Sequence, residues 1–198
     1  MTQLILASAS RTRADLLRAA GLEFEVRPAR IDEVALRESL QAEETSPREI
    51  ADMLAESKAL QVGGRHPDAL VLGCDQIMEV DGDCLGKPGD RKALRDRLLY
   101  LRGRTHRLHS AAVLYSGARP VWRHVSEASL TMRDFSEAFL DSFLATVEDN
   151  VLQTVGGYAI ESLGLRLFDR IDGDYFGILG LPLVELLSVL ARRGDIAG

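Results

Sequence analysis

The candidate chemistry begins in a short polar stretch at residues 6–17, LASASRTRADLL. An apolar run ends there in Ser8 and Ser10, and Arg13 follows three residues further on, about one helical turn. Where a strand leads into a helix, backbone N–H groups and the helix dipole converge and favour an anion. Two interpretations stay open: the two serines and Arg13 bind phosphate, or Ser10 caps a helix and the arginine is solvated.

Two acids and two lysines further along the chain complement these groups. Glu33 lies in a polar, glutamate-rich segment. Asp75 comes just after an apolar run, residues 69–73, so we predict it at the C-terminal end of a buried strand, where α/β folds bind ligands. Lys58 is predicted on a helix and Lys87 in a turn, in a chain with three lysines in all. Taken singly, each also fits an ordinary solvated side chain.

Taken together, these residues indicate metal-assisted hydrolysis of a phosphoanhydride. Glu33 and Asp75 offer the oxygen ligands that Mg²⁺ prefers and commonly shares with substrate phosphates. The lysines and the arginine suit the phosphates themselves. Glu161 ends the segment GYAIE, and its carboxylate could accept the two N–H donors of a guanine edge or simply be exposed at a strand end.

The elements that must position these groups alternate between strand and helix. The pattern predicts an α/β fold with a mixed, twisted sheet and flanking helices. A chain of 198 residues allows one large domain or two small lobes around a shared cleft. We predict strands at 3–7, 24–27, 69–73, 104–116 and 119–133, a hairpin at 80–83, and helices at 10–20, 47–62, 90–101, 136–146 and 182–194. Residues 28–46 carry no prediction beyond their polarity.

Composition excludes several classes of partner. A net charge of −6 and a pI near 5.3 argue against a protein that wraps nucleic acid. No apolar run approaches the roughly 20 residues of a membrane span, and the first residues do not resemble a signal peptide. The histidines lack cysteine partners and HExxH spacing, which disfavours zinc. We therefore expect no nucleic acid, no membrane segment and a cytoplasmic location.

An ordered set of motifs resembles the Maf family of nucleoside triphosphate pyrophosphatases. The set covers nearly the whole chain and reads LASAS at 6–10 with Arg13, DE at 32–33, ESKA at 56–59, GCDQ at 73–76, GKP at 86–88, GYAIE at 157–161 and GLPL at 180–183. The resemblance implies one domain over residues 1–198. It also implies an elongated, two-lobed fold akin to inosine-triphosphate pyrophosphatases, with the active site in the central cleft.

The resemblance further implies cleavage between the α and β phosphates of a nucleoside triphosphate, releasing monophosphate and pyrophosphate. The implied metal ligands, for Mg²⁺ or Mn²⁺, are Glu33 and Asp75, and Asp75 is also the expected base, with a low pKa. The implied catalytic residues are Glu33, Lys58, Asp75 and Lys87. The implied substrate-binding residues are Ser8, Ser10, Arg13, Gln76 and Glu161.

Two branches of the family differ at two positions of this chain. The branch that resembles dTTP/UTP pyrophosphatases has Thr after the catalytic Asp and Gln at position 161. The 7-methyl-GTP branch has Gln76 and Glu161, as here, although an aromatic residue is common in it where this chain has Thr12. A carboxylate suits 7-methylguanine because that base is cationic. The alternatives are dTTP/UTP hydrolysis and a non-catalytic, nucleotide-binding regulator of septum formation, and the family also suggests a homodimer.

Overall fold

The computed structural model describes residues 3–117 and 119–197, so the predicted domain at 1–198 includes four residues outside these ranges. The strands are β1 (Leu4–Leu6), β2 (Glu25–Val26), β3 (Leu70–Val80), β4 (Asp83–Leu85), β5 (Thr105–Ser116), β6 (Arg119–Met132) and β7 (Phe168–Asp172). The α-helices are α1 (Arg11–Ala19), α2 (Glu33–Ala42), α3 (Pro47–Gly63), α4 (Arg91–Leu101), α5 (Glu137–Thr146), α6 (Tyr175–Ile178) and α7 (Leu183–Arg193). Two 3₁₀ turns span Asp149–Gln153 and Leu163–Leu167.

The strands form one mixed sheet in the order β2-β1-β3-β5-β6-β7, with β4 beside β3. Strand β1 runs parallel to β2 and β3, and the other pairs are antiparallel. The predicted mixed α/β sheet is thus confirmed. Strand β1 pairs with β3 only as far as Leu72, and β4 joins β3 only from Met78. Within the described residues, one edge of β3 is therefore unpaired between these points.

Three buried apolar clusters divide the molecule into two lobes. In the first lobe, α3 covers one face of the sheet, and α1 and α7 cover the other. In the second lobe, the far ends of β3, β5 and β6 pack against α4 and α5. The long strands run through both lobes, which confirms the predicted lobes and flanking helices. No helix in the two described ranges is long and apolar enough to cross a membrane.

Local signals in the sequence set most helix ends. Ser46 and Glu49 form a reciprocal capping box at the start of α3, with Pro47 in the first turn. Gly21, just after α1, has a positive φ of 75°, as expected of a glycine that ends a helix. Besides the two 3₁₀ turns, three elements were not predicted: α2 lies inside the polar segment 28–46, α6 is a single short turn of helix, and β7 is a short strand at the sheet edge.

Candidate active site

A cleft of about 1500 Å³ lies between the two lobes. It is lined by all nine predicted site residues, which come from six segments of the chain: Ser8, Ser10, Arg13, Glu33, Lys58, Asp75, Gln76, Lys87 and Glu161. Thr12 lines the same cleft. The fold therefore brings together groups that are up to 153 residues apart in sequence, between Ser8 and Glu161.

Asp75 lies within β3 and not past its end, so the predicted position at a strand terminus was wrong. The reason is that β3 continues through the polar residues, paired with β5 across the Asp75–Ala111 register. Asp75 nevertheless occupies the unpaired stretch of β3 beyond the end of β1. It lies on the same face as Val71 and Ile77, which pack in the α3 cluster.

The centre of the site is a buried ion pair between Lys58 and Asp75. Their side chains are each 7% exposed, and Lys58 Nζ lies 2.5 Å from Asp75 Oδ1. The same ammonium lies 3.1 Å from Oε1 of the half-exposed Glu33. One lysine thus contacts both predicted metal-binding carboxylates, and the alternative of an exposed helical lysine at position 58 was wrong.

Gly73 allows helix α3 to come this close to the sheet. A Cβ atom at position 73 would lie 2.1 Å from the Ala55 carbonyl oxygen and 2.7 Å from the Ala59 backbone nitrogen. Both atoms belong to α3 and flank Lys58 in sequence. The absence of a side chain at Gly73 is therefore what lets Lys58 reach Asp75, two residues along the strand.

Burial raises the pKa of Asp75 above its usual range, and the positive charges of Lys58 and Arg13 oppose this shift without cancelling it. The low pKa expected of the catalytic base is therefore not produced by the protein groups around it. On the protein side alone, the surroundings make this carboxyl harder to ionise than a solvated one.

Glu33 and Asp75 are the two carboxylates that could hold a divalent metal ion at this site. Both carboxylates reach the same ammonium, so they lie close together at the cleft. Within residues 3–117 and 119–197, no cluster of three or more His, Cys, Asp and Glu could hold a metal. Two carboxylates suit Mg²⁺, or the similarly hard Mn²⁺, which completes its shell with phosphate oxygens and water.

Arg13 is buried and joins three segments of the first lobe. Its Nη1 donates to Ser8 Oγ at 3.1 Å and to the Cys74 carbonyl oxygen at 2.9 Å, and its Nε donates to the Gly180 carbonyl oxygen at 2.8 Å. The alternative of a solvated arginine was wrong. In the described part of the chain, Nη2 donates no hydrogen bond, so this nitrogen can serve a ligand in the cleft.

Ser10 caps helix α1, as one of the two interpretations predicted. Its Oγ accepts a hydrogen bond from the Arg13 backbone N–H at 3.4 Å. Ser8 Oγ in turn accepts from the Ser10 backbone N–H at 3.3 Å. Capping and ligand binding are compatible here, because both serines also line the cleft.

Gln76 and Glu161 approach the cleft from β3 and from the second lobe. Gln76 Nε2 donates to Ser110 Oγ at 2.8 Å and to the Ile178 carbonyl oxygen at 3.0 Å, which directs both amide hydrogens into the protein. Glu161 is exposed. Its segment is anchored by the buried Tyr158, whose hydroxyl lies 2.6 Å from His106 Nε2.

Two arginines were missed, one that lines the cleft and one that supports its wall. Arg37 lines the cleft from α2, four residues after Glu33 and hence on the same helix face. Arg97 is half-buried, and its Nη1 donates to the carbonyl oxygens of Gly86 at 2.9 Å and Val155 at 2.8 Å. The signal that could have predicted α2, and with it the position of Arg37, was Asp32 as a helix cap. Its side chain accepts a hydrogen bond from a backbone N–H at 3.0 Å.

Comparisons with known proteins agree with this architecture. A family model described as "Maf-like protein" matches residues 3–193. The chain is 47% identical to a "Nucleoside triphosphate pyrophosphatase" of Ruegeria sp. (strain TM1040), covering 98% of each chain. It is 43% identical to a "7-methyl-GTP pyrophosphatase" of Brucella abortus biovar 1 (strain 9-941), covering 99% of this chain and 98% of the relative.

A solved structure shares the fold at low sequence identity. The HAM1 protein from Coxiella burnetii superimposes with a TM-score of 0.50 and 14% identity, over 97% of this chain and 100% of the other. This likeness concerns the fold alone. The family match over residues 3–193 and the 43–47% identity to the two relatives above show that the chain belongs to the Maf family.

Proposed function

We propose that this protein hydrolyses nucleoside triphosphates between the α and β phosphates, releasing a nucleoside monophosphate and pyrophosphate. The observation that carries the proposal is the buried Lys58–Asp75 pair with Glu33 beside it, at the wall of a cleft lined with further cationic side chains. Two relatives that match this chain over nearly their whole length are named nucleoside triphosphate pyrophosphatase, which supports the same reaction class.

In this proposal Asp75 accepts the proton of the attacking water. A carboxylate whose pKa is raised by burial is a better proton acceptor than a solvated one. Lys58 holds the Asp75 carboxylate in one orientation through the 2.5 Å contact. Its positive charge also offsets the charge that builds up on the phosphates during cleavage.

The phosphates would be bound by cations and hydroxyls around this pair. Arg13, which has no hydrogen bond from Nη2 to the described residues, and the exposed Lys87 both line the cleft. Ser8 and Ser10 add hydroxyls at the start of α1. A divalent metal ion bound by Glu33 and Asp75 would neutralise phosphate charge and polarise the bond that breaks.

We further propose 7-methyl-GTP as the preferred substrate. Glu161 can accept both N–H donors of the guanine edge, and its negative charge complements the cationic 7-methylguanine ring. Gln76 borders the same cleft with its amide hydrogens already used. Relatives named 7-methyl-GTP pyrophosphatase at 43–47% identity support this choice over dTTP or UTP.

A substrate panel tests both levels of the proposal. The protein is incubated with Mg²⁺ and 7-methyl-GTP, GTP, dTTP or UTP, and kcat/KM is measured for each. We expect 7-methyl-GTP to give the highest value. A preference for dTTP and UTP would refute the substrate proposal alone. Nucleotide binding without any turnover would instead favour a non-catalytic regulator.

The variant Glu161→Gln tests how the base is recognised. Losing a charged hydrogen-bond acceptor costs roughly 1.5–3 kcal/mol, so kcat/KM for 7-methyl-GTP should fall by at least about tenfold. The value for dTTP should change much less. Glu23→Gln, at an exposed glutamate outside the cleft, is the matched control. An equal loss on every nucleotide would contradict base recognition by Glu161.

A further inference from the structure

The guanidinium of Arg37 belongs to the cleft, but neither the motifs nor the mechanism gives it a role. Arg37 is half-buried on α2 and lines the cleft. Within the described residues, it forms no hydrogen bond and no ion pair. Arginines on the protein surface contrast with it: Arg95 and Arg123 each contact two carboxylates.

The helix offers Arg37 a partner that it does not use. Glu33 lies four residues earlier, on the same face of α2, where an ion pair is ordinarily favourable. Glu33 contacts Lys58 instead, at 3.1 Å. The positive charge of Arg37 is thus left uncompensated at a cleft that already contains the exposed ammonium of Lys87.

Gly86 leaves room for the guanidinium. A Cβ atom at position 86 would lie 2.9 Å from Nη1 and 3.2 Å from Nη2 of Arg37, so the guanidinium occupies the space of a missing side chain. Gly86 is itself fixed, because its carbonyl oxygen accepts from Arg97. The result is a planar group of hydrogen-bond donors against the Gly86 backbone, in a cleft that Lys87, the next residue in the chain, also lines.

We propose that Arg37 binds the terminal phosphates of the substrate, the half that leaves as pyrophosphate; this inference rests on the function proposed above. A guanidinium pairs with phosphate oxygens through two parallel hydrogen bonds, which an ammonium cannot do. A position near the base is unfavourable for Arg37, since 7-methylguanine is itself cationic. Arg37 and Lys87 together would then distinguish a triphosphate from a monophosphate.

The direct test is calorimetric binding of inorganic pyrophosphate, with Mg²⁺ present, to the wild-type protein and to Arg37→Met. Methionine keeps the apolar stem and removes the donors. We expect the Kd for pyrophosphate to rise about tenfold or more, as for loss of a charge-assisted hydrogen bond. The Kd for 7-methyl-GMP should stay the same, and Arg37→Lys should recover part of the pyrophosphate affinity. Arg65→Met, at an exposed arginine outside the cleft, is the control.

Gly86→Ala provides a second variant that leaves the arginine in the sequence. Its methyl group must push the guanidinium aside, because the space is occupied. We expect weaker pyrophosphate binding in the wild-type background and no further loss in the Arg37→Met background. Such non-additivity would assign the effect of Gly86 to Arg37 and not to Lys87 next to it.

Two results would overturn the inference. One is unchanged pyrophosphate affinity in Arg37→Met. The other is an equal loss for pyrophosphate and 7-methyl-GMP, which indicates a general structural role. Both results come from binding of the reaction products, so they do not depend on whether the protein turns over a triphosphate. A wild-type protein that binds pyrophosphate through Arg37 but does not hydrolyse triphosphates would contradict only the proposed function.

Discussion

Replacing Lys58 by methionine removes the charge at the centre of the site while nearly preserving side-chain volume. In the folded protein, Asp75 would then be a buried carboxylate without its closest counter-charge, and Arg13 would be the nearest remaining cation. Breaking one partner out of a buried ion pair costs about 3–5 kcal/mol. The lost contact with Glu33 adds little, because that carboxylate is half-exposed.

The expected loss of unfolding free energy can be measured without unfolding the protein altogether. Domains of this kind unfold with about 5–15 kcal/mol, so a loss of about 3 kcal/mol is large but compatible with a folded protein at 25 °C. Asp75→Asn should be destabilising too, since it leaves a buried ammonium with only Glu33 beside it. In the double variant both charges are gone. Its loss should fall short of the sum of the single losses by about 2 kcal/mol or more.

Urea unfolding at pH 7, followed by circular dichroism, measures these differences. Hydrolysis assays on the same samples should show activity lost in all three variants, including the double variant with recovered stability. Lys92→Met is the matched control, because that lysine is exposed and its partner Asp96 lies one turn away on the same helix; its unfolding midpoint should be unchanged. Strict additivity of the two single losses would refute the account of the pair.

Three further predictions concern the supports of the site. Gly73→Ala should lower kcat/KM by about a hundredfold and lower Tm, since its Cβ would meet the α3 backbone at 2.1 Å; unchanged activity and Tm would contradict this. Arg97→Met should raise KM by releasing the Gly86 segment, with partial rescue by Arg97→Lys, and an unchanged KM would exclude the tether. Burial lowers the pKa of His106 to about 4. Because the unfolded chain then binds the extra proton, stability should fall by about 2 kcal/mol from pH 7 to pH 5. The stability of His106→Gln, measured by denaturation, should lack this fall between pH 7 and pH 5. Parallel stability–pH profiles for the wild-type protein and the variant would contradict this prediction.

The sequence predicts those parts of the fold that depend on short-range signals. The capping box at Ser46, the glycine after α1 and the hairpin around Asp81 and Gly82 all occur where expected. Helix α2 escaped prediction because its outward surface is polar and only Leu40 is buried, so apolar periodicity is weak. Strand β7 escaped because it lies at a sheet edge and has no fully buried residue.

The site could be predicted as a set of residues but not as a set of contacts. The ordered motifs predicted nine site residues, and all nine line one cleft. The contacts depend on how α3 and the Gly180 segment pack on β3. This packing places the Lys58 ammonium between two carboxylates, buries Asp75 and brings Arg13 to the Gly180 carbonyl oxygen. Such long-range packing leaves no local signal in sequence. For the same reason the position of Arg37 in the cleft could not be predicted, since it depends on how α2 packs beside Gly86.

In the proposed reaction, cleavage separates the α from the β phosphate and requires Asp75. Phosphorus NMR of 7-methyl-GTP incubated with the protein and Mg²⁺ tests it most directly. We expect the signals of 7-methyl-GMP and pyrophosphate for the wild-type protein, and intact triphosphate for a folded Asp75→Asn variant. Release of orthophosphate and a nucleoside diphosphate, or full turnover by Asp75→Asn, would contradict it.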